Sequence, residues 1–327
     1  MKALRTGDVV EVRSEAEILR TLDAEGKLDG LPFMPEMLSF CGQRYRVRGR
    51  AHKACDTIDW QQFRRMESAV HLEELRCDGS AHGGCQAGCL LFWKEAWLRP
   101  VAQQEGERTP ETGAAGASRE ALTAATQIGT NEAGQTLFSC QATQLTNASK
   151  GLLPWWEPSQ YVQDVASGNS TVFRVVRALL VGLFNRFQRA NARFFPRFCV
   201  IRGCKRYPFI EGTAASGSTP TGSLDLQPGE IVEIKSREEI FATLDGDDKT
   251  QGLRFDGEML KYCGRRARVL RRMENIIDEK TGRMLRIRRD CVILDGVICA
   301  GDYHRSCPRA IYPYWREAWL RRVEDRA

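Results

Sequence analysis

No apolar run in this sequence approaches the ~18–20 residues needed to cross a bilayer, which excludes a membrane-spanning helix. The opening residues Met1 to Gly7 contain no hydrophobic stretch of signal-peptide length, so the expectation is an intracellular, cytoplasmic chain. Also missing are the phosphate-cradling G-x-x-x-x-G-K-[ST], a G-x-G-x-x-G between strand and helix, H-E-x-x-H and G-x-S-x-G, which argues against those enzyme classes. Histidine is scarce, with four in 327 residues. Acidic residues are absent altogether from 165 to 210.

With 42% hydrophobic and 28% charged residues, the chain is long and apolar enough for two or three domains with real cores. Twelve cysteines stand out. In a reducing compartment they read as metal ligands, small buried hydrophobes or reactive thiols rather than as a disulfide framework. The net charge of +6 is modest, but the acid-free span holds Arg174, Arg177, Arg186, Arg189, Arg193, Arg197, Arg202, Lys205 and Arg206. The positive charge is therefore concentrated in the centre, and the flanks are nearly neutral.

An internal repeat organises the rest. GDVVEVRSEAEILRTLD from Gly7 is answered by GEIVEIKSREEIFATLD from Gly229. The same offset relates Cys41 to Cys263 and the WKEAWLR from Trp93 to the WREAWLR from Trp315, so no net insertion separates the copies. Residues 1–101 are read as the first repeat and 229–327 as the second, each with a Cys/His loop. Between them lie a flexible linker at 102–135, a basic helical domain at 136–211 and a second linker at 212–228. In the helical part a short helix is expected from Ser159 and a longer one from Ser170 to Phe195, stopped by Pro196.

Within each copy the pattern is mainly β. Val9–Val12, Arg44–Arg48 and Val70–Leu75 alternate as strands, interrupted by a short helix at Glu15–Leu22 with Ser14 as its cap. Around 95 residues of this kind suit a small, partly open barrel. The opening Gly7-Asp8-Val9-Val10-Glu11-Val12 and the closing Trp93-Lys94-Glu95-Ala96-Trp97-Leu98 resemble the first and last strands of SH3-like barrels, in outline similar to the nitrile hydratase β-subunit. The resemblance covers the two ends of each copy and implies a fold, with no catalytic residue carried over. The LPFMPEM at Leu31, followed by Cys41-Gly42, resembles uncharacterised bacterial proteins. The expected fold is α+β: two repeated SH3-like, mostly β domains flanking a small helical insert.

Four metal-capable residues recur: Cys41, Cys77, His82 and Cys85 match Cys263, Cys299, His304 and Cys307. The C-x4-H-x2-C spacing puts three soft or borderline ligands on one short loop, which Gly79, Gly83 and Gly84 allow to turn tightly. A fourth ligand from Cys41 or Cys263 completes a tetrahedral Cys3His set suited to zinc, one ion per repeat. A histidine with only three cysteines argues against an ordinary iron–sulfur cluster. The bland alternative is that the cysteines pack as small hydrophobes. Glu36 and Glu258, like Asp23 and Asp245, also recur and are read as turn or cap residues.

The differences between copies matter too. Cys55 and Cys89 become Ile277 and Ile311, which suggests neighbours that bond one another or join the metal site as Cys55, Cys77, Cys85 and Cys89. His52 and His71 occur only in the first copy. His52, close in sequence to Cys55 and Asp56, is either part of a nucleophile–base arrangement or a surface histidine. Cys291 is a strand residue or an alternate ligand, and Cys140 is structural. Cys199 and Cys204, beside Arg202, Lys205 and Arg206, have thiolate-favouring neighbours.

On the long helix, Phe173, Val176, Leu180, Leu183 and Phe187 make one apolar stripe, surrounded or opposed by Arg174, Arg177, Arg186, Arg189 and Arg193. Either the stripe docks on its own domain, or the helix meets an anionic partner such as a membrane surface or nucleic acid. The functional expectation is a zinc-stabilised binding or scaffold protein with a protein partner and a basic insert contacting an anion. The alternative is a metal- or thiol-dependent enzyme in the first repeat, with His52, Cys55, His71 and Cys89 as candidates.

Overall fold

A computed structural model describes residues 3–59, 62–101, 117–194, 201–214 and 222–323. The chain is α+β and forms two compact units. One contains Met1–Thr171, Asn275–Arg286 and Cys307–Arg309; the other contains Val172–Glu274, Ile287–Ser306 and Ala310–Ala327. Each unit therefore centres on one repeat, while a hairpin and a three-residue segment of the second repeat belong to the unit of the first.

In the first unit a five-stranded antiparallel sheet runs in the order Leu90–Lys94, Ala69–Arg76, Arg44–Arg50, Val9–Val12, Leu98–Pro100. The opening strand pairs with the closing one, with Val12 opposite Leu98. Val10, Val12, Val47, Val70 and Leu72 turn inward because alternate residues of a strand share a face. Phe33 meets Trp97 and Trp93 edge-on at 5.1 and 6.1 Å, a geometry that adds roughly 0.5–1.5 kcal/mol per pair to their burial. The helix Glu15–Leu19 starts at a full capping box: Glu17 N–H donates to Ser14 Oγ, and Ser14 N–H to the Glu17 carboxylate.

The second unit repeats these devices. Its sheet order is Trp315–Arg316, Cys291–Leu294, Arg266–Arg272, Ile231–Ile234, Leu320–Arg322. Phe255 meets Trp319 and Trp315 edge-on, and Ser236 and Glu239 form the same box on the helix Arg237–Phe241.

Part of the stretch expected to be flexible linker is ordered. Ser118 caps the helix Arg119–Ala125, whose Leu122 is buried in the core, and Gln127–Thr130 pairs with Thr136–Phe138. One well-placed leucine and a cap outweigh the low hydrophobicity around them. Residues 102–116 and 215–221 of the two linkers lie outside the described residues, as do Phe195, Pro196, Arg197 and Cys199. The helices Ser159–Ala166 and Val172–Phe194 occupy the places expected from the sequence. Among the described residues no helix is long and apolar enough to cross a membrane.

Candidate metal centres

The first candidate centre lies where two turns meet. A short 3-10 turn, Pro35–Phe40, opens with proline at its first position and carries Glu36. The loop after strand Ala69–Arg76 carries Cys77 and His82. Its neck is closed by the Cys77 N–H donating to the Cys89 carbonyl at 2.8 Å, and its bend by His82 and Gly84 N–H groups donating to the Gly79 carbonyl at 3.1 and 2.9 Å. Gly79 has φ 79°, and a Cβ there would lie 2.0 Å from the Cys85 carbonyl oxygen, so the turn requires glycine.

Glu36, Cys77 and His82 each bring one ligand atom within 4.8 Å of the other two. Cys77 Sγ lies 3.3 Å from His82 Nε2, and His82 Nδ1 lies 3.9 Å from Glu36 Oε1. Neither Glu36 oxygen nor His82 Nδ1 has a hydrogen bond of good geometry. Burial pushes the Glu36 carboxyl above its ordinary range, only partly offset by its own backbone and the adjacent Cys77 thiol. Burial also raises Cys77 and lowers His82. Buried polar atoms without partners carry a desolvation cost, which a bound cation would remove.

The second unit assembles Glu258, Cys299 and His304 in the same way. The equivalent loop bonds recur: Cys299 N–H to the Ile311 carbonyl, and His304 and Ser306 N–H groups to the Gly301 carbonyl. Here, however, the carboxylate is held. Glu258 accepts from the N–H groups of Ala300 at 3.0 Å and Tyr303 at 2.5 Å, and His304 Nε2 lies 3.1 Å from Asp256 Oδ1. Burial raises the Glu258 carboxyl, the Tyr303 N–H counteracting it.

Of the expected Cys3His sets, the geometry brings only the loop cysteine and histidine within 4.8 Å, joined among the described residues by a glutamate to give Cys-His-Glu triads. Cys41 and Cys263 end the two 3-10 turns and pack against the cores. Cys85 Sγ accepts the Ile277 N–H at 3.4 Å, and Cys307 Sγ accepts the Cys55 N–H at 3.2 Å. These two bonds join equivalent positions of the two repeats reciprocally, all within the first unit. Glu36 and Glu258 were visible in the sequence as recurring acids. Assigning them to turns was right about the backbone but missed that each turn delivers a carboxylate to a Cys/His loop.

Of the residues peculiar to the first copy, Cys55 and Cys89 share the buried Arg309 as a neighbour, while His52 is held by Asp164. Neither Cys55 nor Cys89 is in a disulfide. Cys89 lines a cavity of about 30 Å³ with Cys77, His82, Cys140, Glu279 and Arg309, room for a water or two. Burial pushes Cys89 up to about 12 and Cys140 up to about 11, so both remain thiols. Cys55 borders the same buried Arg309, whose guanidinium donates to the Cys55 carbonyl at 2.8 Å. Burial raises Cys307, but its bonds with Cys55 and the Arg309 charge outweigh this and bring it to about 6.

His52 is buried, with Nε2 3.1 Å from Asp164 Oδ1 and 3.2 Å from the Gln160 carbonyl; Lys53 Nζ holds the other Asp164 oxygen at 2.6 Å. His71 is fully buried, its Nδ1–H donating to the Leu91 carbonyl at 2.9 Å, and burial lowers it to about 3. It is a neutral core residue. Cys291 is buried within its strand, and Cys204 is in a disulfide rather than available as a thiolate.

The basic insert is partly neutralised. Arg174 donates to Asp302 at 2.8 Å and to the Ala300 carbonyl at 3.1 Å, and the Arg177 guanidinium stacks over Tyr303 at 5.8 Å. Arg202 and Lys205 lie 3.9 and 4.0 Å from Glu211. No protein-family model, curated protein or solved structure matches this chain, and what it does has to follow from the chemistry of these residues.

Proposed function

We propose that the chain is a zinc-stabilised tandem-repeat scaffold, in which two SH3-like repeats each hold one zinc ion and the basic insert contacts an anionic partner. The observation that carries this reading is the recurrence of one carboxylate, one thiol and one imidazole on equivalent turns of both repeats. All three are ordinary zinc donors, and none requires redox chemistry. The Glu36 oxygens and His82 Nδ1, which make no hydrogen bond of good geometry, fit such an ion. The SH3-like part is supported by the same five-strand order in both repeats and by pairing of the opening and closing strands.

An enzyme centred on the first repeat has less support. His52 is engaged by Asp164, His71 is buried and neutral, and Cys89 is a buried thiol beside a cavity of about 30 Å³. Elemental analysis of the purified full chain tests the scaffold reading. Two zinc ions per chain are expected, falling to one with Cys77→Ala or Cys299→Ala and to none with both. Zinc absent from the wild type, or unchanged in the double variant, overturns it.

A further inference from the structure

The long helix Val172–Phe194 is attached by a mixed face that is not its apolar stripe, with Phe184 edge-on to Phe209. Its buried residues are Val175 and Gln188. Gln188 Nε2 donates to the carbonyls of Ile201 and Lys205, both at 3.0 Å, and Asn185 exchanges two hydrogen bonds with the backbone of Tyr207. The apolar stripe faces the other way. Phe173 is 76% exposed, Leu180 62% and Phe187 52%, with Val176, Leu183 and Phe194 exposed alongside. Soluble helices ordinarily bury such a stripe, so one left open for the length of a 23-residue helix marks a contact surface.

The spacing of three and four residues would also suit a coiled-coil seam with a second copy. The charges oppose that. Arg177, Arg186 and Arg193 border the seam and the helix carries no carboxylate, so two such helices would bring like charges together. Phe and Leu along one face, arginines beside and behind it, and low overall hydrophobicity are the composition of a helix that lies in the interface of an anionic bilayer. There the aromatic and aliphatic side chains enter the acyl boundary and the arginines reach the headgroup phosphates.

We propose that the exposed stripe of this helix seats the protein on an anionic lipid surface. This specifies the anionic partner of the scaffold reading and rests on that part of it, but not on the metal. The test is co-sedimentation of the full chain with phosphatidylcholine vesicles, with and without phosphatidylserine, and a parallel measurement with single-stranded RNA. Binding is expected only to the phosphatidylserine vesicles, weakening steeply with salt. Leu180→Gln with Leu183→Gln should weaken it roughly tenfold or more, since the apolar anchor is lost. Arg189→Gln and Arg193→Gln should each weaken it about fivefold. Because these side chains are exposed, the thermal midpoint of each variant should equal that of the wild type, which separates lost binding from lost folding.

Equal binding to neutral vesicles, or binding indifferent to the leucine pair, overturns the lipid proposal. A salt-sensitive complex with RNA but none with vesicles also overturns it, while retaining an anionic partner. No binding to either overturns both. A dimer in solution that Leu180→Gln with Leu183→Gln dissociates would assign the stripe to a second copy and likewise overturn it.

Discussion

The two candidate metal loops have the same backbone course and the same three donor types, yet one is satisfied by its own protein and the other is not. Glu258 is pinned by two backbone N–H groups and His304 by Asp256, whereas neither oxygen of Glu36 nor Nδ1 of His82 has a hydrogen bond of good geometry. Charge-assisted hydrogen bonds contribute about 1.5–3 kcal/mol, and an unmade bond to a buried polar group costs about as much. The second loop therefore carries much of its stability in the polypeptide. The first has fewer such bonds, and by this comparison the proposed zinc ion should stabilise it more than the second. Duplicated sites can share donors and still divide the work of holding them.

The largest expected effect exploits that division. In metal-free protein, Glu258→Gln should destabilise by about 2 kcal/mol, because an amide oxygen cannot replace both carboxylate acceptors for Ala300 and Tyr303. Glu36→Gln should be close to neutral in the same state, since it removes a buried carboxyl that makes no hydrogen bond of good geometry. With zinc added, Glu36→Gln should become the weaker binder of the ion. Urea midpoints of both variants with and without zinc measure this. Equal losses in metal-free protein would show that the two loops are not different in the way described.

A second contrast concerns His71, for which the other repeat has Ile293. Its folded-state value of about 3 lies below the ordinary 6.5, so the unfolded chain binds a proton that the folded chain refuses. The corresponding stability is present above pH 6.5 and is lost as pH falls toward 3, by about 1.4 kcal/mol per pH unit within that window. His71→Ile should cost about 1 kcal/mol at neutral pH through the bond to Leu91. It should then gain on the wild type as the medium is acidified. Superimposable pH profiles of the two proteins would exclude His71 as a source of acid sensitivity.

Much of the α+β framework was legible because its signals are local: alternating Val9–Val12, the S-x-x-E box at Ser14, and the helix after Ser159. The metal loops were half legible. Cys77 and His82 lie five residues apart and announced themselves by spacing, but Glu36 arrives from a separate turn, and only the fold reveals which recurring acid faces the loop. Cys85 and Cys307 looked like ligands by spacing, and their sulfurs accept backbone N–H groups while lying outside the two Cys-His-Glu groups. The orientation of the long helix was equally hidden. Its apolar stripe was plain, but the hydrogen bonds of Asn185 and Gln188 that turn the stripe outward involve carbonyls 13 to 22 residues away.

The smallest expected effect tests whether the asymmetry is confined to the loops. Ser14 and Ser236 make the same capping box on equivalent helices, with N3 N–H to Oγ distances of 3.4 and 3.2 Å. Both Glu17 and Glu239 also meet an arginine of the closing strand, Arg99 at 2.7 Å and Arg321 at 2.6 Å. Replacing either serine by alanine removes the same acceptor and leaves the same N–H groups facing solvent, at a cost of about 1 kcal/mol. Because the boxes lie on surface helices away from the metal donors, adding zinc should change neither loss, and the two should agree within about 0.5 kcal/mol, the usual limit of additivity for independent sites. If Ser14→Ala proves much costlier than Ser236→Ala, the first repeat is weaker throughout rather than only at Glu36 and His82. The inequality of the two metal loops would then express a general difference between the repeats rather than their local hydrogen bonding.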